Sequence, residues 1–185
     1  MLFMVMGARS MSGTVINTYM APYFVDNWNI AIATISLIFG IRPLIGILSA
    51  PLGGLMVDKI GEKKWIAIDI LVQIFSLILI ALAPSLTVMV GSYLVYGFIA
   101  QMEMPAFQSL LIKITPSRGR GLVFSLSFLP GTLAGAFSPI LAVPVVEAYG
   151  IWYIFPSALV MLVAAISVLA FLRIKPETNQ ANILR

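Results

Sequence analysis

The chain contains no cysteine and no histidine among its 185 residues. Those absences remove a disulfide framework, a zinc site built on these ligands, haem ligation and a serine–histidine dyad. A six-helix intramembrane serine protease, a reasonable suspect at this length, therefore lacks its base. A histidine proton relay is excluded as well, so any proton coupling has to run through Asp or Glu. No Gly-x-x-x-x-Gly-Lys-(Ser/Thr) motif is present, so no nucleotide site and no cofactor is expected. The first residues run straight into apolar sequence, without the basic leader and small-residue cleavage site of a signal peptide. Charge is scarce too, at 10% of residues, where soluble domains carry about 25%.

What fills the chain instead is apolar: 61% of residues are hydrophobic and the mean hydropathy is +1.05. Soluble domains run at about 45–50% apolar, and a core of this length could not hide the excess. The reading is an all-α polytopic membrane protein whose first partner is the lipid bilayer. The net charge of +4 does not argue for nucleic acid, because the basic residues sit in short turns rather than on one solvated face.

A spanning helix needs about 20 mostly apolar residues, and six such runs can be drawn: 2–25, 30–57, 65–83, 86–112, 121–146 and 151–172. The segment 173–185 is then a cytoplasmic tail. Very short connections make successive helices antiparallel neighbours. Pro43, Pro51, Pro105, Pro130, Pro139 and Pro144 are tolerable inside spans where neighbouring helices satisfy the freed carbonyls. Basic residues set the orientation. Lys59, Lys63 and Lys64 lie in the second-to-third connection, Lys113, Arg118 and Arg120 in the fourth-to-fifth, and Arg173, Lys175 and Arg185 after the last span. The opposite connections carry no Lys or Arg, so the positive-inside rule puts both termini in the cytoplasm. Tyr23, Trp28, Trp152 and Tyr153 would form the outer aromatic belt.

The densest charge lies in GGLMVDKIGEKKW, Gly53 to Trp65. Asp58 at a helix end suits the positive N-terminus of another helix. Gly61 permits a tight turn, and Lys63 and Lys64 face anionic headgroups. Gly54 continues a small-residue row with Gly46 and Ala50, which lets another helix approach closely. Gly131 and Gly135 repeat that spacing in the fifth span. GILSAPLG (Gly46–Gly53) also resembles GAFSPILA (Gly135–Ala142) three spans later, the mark of two inverted three-helix repeats.

The pattern Gly54, Asp58, Lys59, Gly61, Lys63, Lys64 resembles the loop signature of the major facilitator superfamily, with Glu62 standing where a basic residue is usual. The PSRGRG turn (Pro116–Gly121) and the KPET tail (Lys175–Thr178) agree with it. The resemblance covers essentially the whole chain and implies one six-helix half of a twelve-helix transporter. Tyr93 stands where the N-terminal half usually has Arg, and PGTLAGAFSP (Pro130–Pro139) lacks the fuller fifth-helix signature. These departures, with no cytoplasmic leader, favour the C-terminal half. The family implies secondary active transport of a small organic solute or drug, including efflux, by alternating access in a prokaryotic plasma membrane. It also implies that Asp58 meets the start of the fifth helix of an opposite half. Here that start is Ser117–Gly121, supplied by a homodimer partner or by a missing half.

Three charges lie within spans: Arg9, Arg42 and Glu103. A charge at the centre of a membrane helix costs roughly 3 kcal/mol, so each should face a cavity or a partner. At ~1.5 Å per residue, Arg9 lies ~10 Å and Glu103 ~15 Å from the cytoplasmic ends, and Arg42 lies deeper. Arg9 and Glu103 read either as a structural ion pair or as transport residues. Glu103 is the expected proton carrier. Arg42 has no partner at matching depth and is assigned to an anionic substrate group. Asp69, one turn from Gln73, is expected to be tied to the basic inner loops. Asn17, Tyr19 and Gln101 are expected cavity liners. The rival readings are a non-transporting assembly module and a truncated relic. A channel is disfavoured, because no acidic ring or re-entrant segment is visible.

Overall fold

A computed structural model describes residues 2–115 and 120–171. The described residues form α1 (Leu2–Trp28), α2 (Ile32–Ile60), α3 (Glu62–Ala81), α4 (Leu86–Met102), α5 (Met104–Ile114), α6 (Arg120–Tyr149), a 3-10 turn (Ile151–Tyr153) and α7 (Ile154–Phe171), with no strand among them. Four helical stretches are long and apolar enough to cross a membrane: Ile32–Ile60, Glu62–Ala81, Gly121–Tyr149 and Ile151–Phe171. Large apolar side chains such as Leu37, Leu44, Ile47, Leu133 and Ile140 face outward, as they must where the surroundings are lipid.

The helices stop where the backbone can turn at little cost. Asn29 adopts a positive φ of 49°, and its N–H bonds Val25 O while that of Ile30 reaches Phe24 O, an αL closure. Gly61 ends α2 with φ 84° and its N–H on Val57 O at 2.8 Å. A side chain would be strained at that φ, so the charged loop collapses to one residue between α2 and α3. Hydroxyls inside helices return to their own backbone. Ser49 Oγ donates to Gly46 O at 2.7 Å, and Ser138 Oγ donates to Gly135 O at 3.1 Å. Gly135 O is the carbonyl that Pro139, lacking an N–H, leaves without its usual donor.

Packing is interleaved along the chain. α1 lies against α6 and α7, α4 lies against α2 and α3, and α3 meets α7. Close approaches occur at small residues. A Cβ on Gly46 would fall on the Gln101 amide, one on Gly53 on the Met102 carbonyl, and one on Gly135 at 3.1 Å from Thr14 Oγ1. Gly131 lies near Ser10, whose Oγ donates to Gly131 O at 2.6 Å. One expectation is corrected here. Gly54 has nothing within 4 Å of an added Cβ, and its neighbour Gly53 makes the approach, because one residue turns a helix face by roughly 100°.

The expected fourth span is two helices. α4 ends at Met102 and α5 starts at Met104, with Pro105 in its first turn. Pro22, Pro43, Pro51, Pro130, Pro139 and Pro144 lie inside continuous helices, so proline alone does not cause the break. The amides of Ala106 and Phe107 turn to Glu103 O at 2.9 and 3.2 Å. That leaves Met102 O to the indole N–H of Trp65 on α3, at 3.1 Å. Ala100 O, whose ordinary donor would be the Met104 amide, accepts from Arg9 Nη2 at 3.0 Å. The far end of α5 is tied down as well: Lys113 Nζ lies 2.6 Å from Glu62 Oε1, and Ser109 Oγ donates to the same oxygen at 2.7 Å.

Gly53→Ala should lower the midpoint of thermal unfolding of the detergent-solubilised chain, at a cost of about 1–3 kcal/mol for overpacking against backbone. Gly54→Ala should leave it unchanged or raise it slightly. Equal midpoints for the two variants would contradict the packing described.

Candidate functional site

The polar residues that the helices carry inward converge on Arg9. Asp69 Oδ2 on α3 lies 3.5 Å from Arg9 Nη2, and Arg9 Nε faces Glu103 Oε2 at the α4–α5 break. Gln73 Nε2 donates to Asp69 Oδ2 at 2.5 Å. Asp69 and Glu103 are wholly buried, whereas the Arg9 side chain keeps 17% of its surface exposed. One guanidinium thus screens two carboxylates from the space beside it. Asp69 Oδ1 and Glu103 Oε1 have no hydrogen-bond partner among the described residues. Tyr96, fully buried in the same wall, contributes the nearest phenol.

That space consists of two cavities that share Arg9, Ser10, Thr14 and Ala100. The larger, of about 710 Å³, adds Gln101, Thr132, Ala50 and an apolar wall of Met6, Met104, Phe107 and Phe128. The smaller, of about 220 Å³, adds Asn17, Arg42, Gln73 and Tyr96. Arg42 reaches it from α2. Its Nη1 donates to Asn17 Oδ1 and, at 3.1 Å, to Tyr93 OH, and its guanidinium carbon stands 5.0 Å from the centre of the Tyr93 ring. Gly97 makes room for it, since a Cβ there would fall on Arg42 Nε.

Most of the expected liners gather here. Arg9, Asn17, Arg42 and Gln101 line the cavities, Ala50 and Gly135 do so from the helix-packing set, and Gly131 joins them. Glu103 lies behind Arg9 rather than in either wall. Tyr19 is turned away, its OH donating to Pro139 O at 2.9 Å. Two expectations change. Asp69 does not reach the basic inner loops but faces Arg9, because its turn of α3 points to the centre of the bundle. Arg42 does have partners at its depth, but both are neutral. Sequence reasoning missed Trp65, Tyr93 and Gly97. The four-residue spacing of Tyr93 and Gly97 put both on one face of α4, and that was the available signal.

The charged loop lies apart from this centre. Asp58 and Lys59 are exposed at the end of α2. Lys63 Nζ donates to Ala170 O of α7 at 3.3 Å, and Lys64 is exposed. Ser117–Arg118 and the KPET tail fall outside the described residues.

A chain with four membrane-length apolar helices, a lipid-type exterior and buried charges gathered beside open cavities is an integral membrane protein of the transporter class. The family model of the Major Facilitator Superfamily matches residues 2–184, and the chain belongs to that superfamily of transporters. No curated protein matches the chain.

Arg9→Met should destabilise the chain by about 3–5 kcal/mol, because it strands buried charge. The triple variant Arg9→Met, Asp69→Asn, Glu103→Gln should recover most of the loss in a detergent thermal-unfolding assay. A triple variant no better than the single one would refute this charge accounting. Trp65→Phe keeps an aromatic ring but removes the N–H donor to Met102 O and part of the buried ring volume, and should cost about 1–3 kcal/mol or more in the same assay.

Proposed function

We propose that the chain is a six-helix half of a secondary transporter that moves a small organic solute by alternating access. In this reading α4 and α5 together form one span and α1 another, giving six spans in residues 1–172 and a cytoplasmic tail over 173–185. Both termini lie on the cytoplasmic face of a prokaryotic plasma membrane. A second six-helix unit, either another copy or a separate half, completes the carrier, and the resemblance to a C-terminal half is kept.

The observation that carries the reading is the double cavity against Arg9, built by α1, α2, α4, α5 and α6 around charges that no packing role alone requires. Inverted repeats are supported by the packing order. Exchanging the first span with the fourth, the second with the fifth and the third with the sixth maps the closely packed pairs of helices onto one another, the sparse α1–α2 contact excepted. The matched motifs behave alike too: Ser49 and Ser138 are fully buried, and each bonds the glycine carbonyl three residues back. Gly46 admits α4 where Gly135 admits α1.

Within this carrier Arg42 holds an anionic group of the solute, and Asn17 and Gln101 supply polar contacts. Glu103 carries the proton in exchange with Arg9. Asp58 and Lys59, exposed at the cytoplasmic end of α2, with the Gly54, Gly61, Lys63 and Lys64 turn behind them, are the contact that makes and breaks with the second unit.

The absence of cysteine makes the test direct. Cysteines placed at Asp58 and Arg118 should cross-link two copies, or the chain and its co-expressed half, in membranes. Proteoliposomes holding a trapped pH dye should show solute-driven proton movement that Glu103→Gln abolishes and Arg42→Ala reduces at least tenfold. No cross-link together with no flux would leave the non-transporting assembly module as the better account.

A further inference from the structure

We propose that the two adjoining cavities bind an amphipathic organic carboxylate, its head on Arg42 and its apolar body between Phe107 and Phe128. The inference rests on the transporter reading above and names the solute class for the same site.

The two guanidiniums differ in what they still lack. Arg9 already faces two carboxylates, Asp69 and Glu103, so an incoming anion gains little there. Among the described residues Arg42 is held only by the Asn17 amide oxygen, the Tyr93 hydroxyl and the Tyr93 ring. All are neutral, so its full charge remains uncompensated among apolar helices. A guanidinium in that position favours a planar bidentate acceptor, and a carboxylate fits the fork. The smaller cavity surrounds the head with further donors from Gln73, Asn17 and Thr14.

The larger cavity sets the rest of the molecule. Its volume of about 710 Å³ falls within the range that encloses drug-sized ligands. Two phenylalanines and two methionines form much of its wall, and thioethers and rings adapt to irregular apolar bodies. A sugar would leave its hydroxyls facing that wall. An inorganic anion would leave the larger cavity empty. An organic cation would bring its charge towards Arg42, while the carboxylates that could offset it stay behind Arg9, out of both walls.

The test uses the full chain in nanodiscs of phosphatidylethanolamine and phosphatidylglycerol, with radiolabelled 4-phenylbutyrate as the probe and empty nanodiscs subtracted. Saturable binding is expected, displaced by octanoate, at least tenfold less well by 4-phenylbutanamide, and not by acetate or 4-phenylbutylamine. Arg42→Gln should weaken binding at least tenfold and Arg42→Lys less. Phe128→Ala, on an exposed side chain whose loss leaves the fold intact, should weaken it about fivefold. Absence of saturable binding, equal displacement by the amine, or wild-type affinity in both Arg42→Gln and Phe128→Ala would overturn the assignment. Binding without flux would instead count against the carrier and leave the ligand class standing. Flux of other solutes without phenylbutyrate binding would do the reverse.

Discussion

A guanidinium taken out of water costs several kcal/mol unless its hydrogens and its charge are both met. Arg9 is met from two walls of the bundle, by α3 and by the end of α4. Asp69 comes from α3, Glu103 from the junction of α4 and α5, and the Ala100 carbonyl from the last turn of α4. Those partners explain why the bundle tolerates a broken helix. A chain that leaves carbonyls unpaired in an apolar interior is penalised unless a donor arrives from elsewhere, and here the donors are Arg9 and Trp65. The same contacts hold two acids inside the protein and bring a charged wall to a cavity. Fold and site are one construction at this point.

Arg42 presents the opposite case. It has hydrogen-bond partners and an aromatic face but no counter-charge among the described residues, and Gly97 gives up its side chain to seat it. Hydrogen bonds engage its Nη1 and fix its direction while its field remains in the cavity. Selection of a solute by charge calls for that combination: a cation fixed in direction and left electrically open. Arg9, by contrast, is neutralised and serves as a screen.

Much of this architecture was legible in the residues. Apolar runs of membrane length, bounded by Gly61, Asn29 and Gly150, mark the helices because the bilayer and the turn impose separate constraints on composition. Arg9 and Glu103 could be matched because depth can be counted along a helix. Rotation about the helix axis could not be counted in the same way. That is why Asp69 was assigned to the loops, why Gly54 was chosen over Gly53, and why Tyr19 was placed in the cavity. Pro105 was one proline among several in apolar spans, and only its tertiary partners decide that the helix parts there. Glu62, a departure from the loop signature of the family, acquires a reason from its position beside Lys113 and Ser109.

That last contact gives α5 a mechanical character. The helix is a short rod of 11 residues, with Phe107 near one end in the cavity wall and Lys113 near the other, clasped to Glu62 at the start of α3. The Glu103 junction fixes one end and the Glu62–Lys113 pair the other, so the Phe107 ring of the cavity wall is carried on a helix held at both ends.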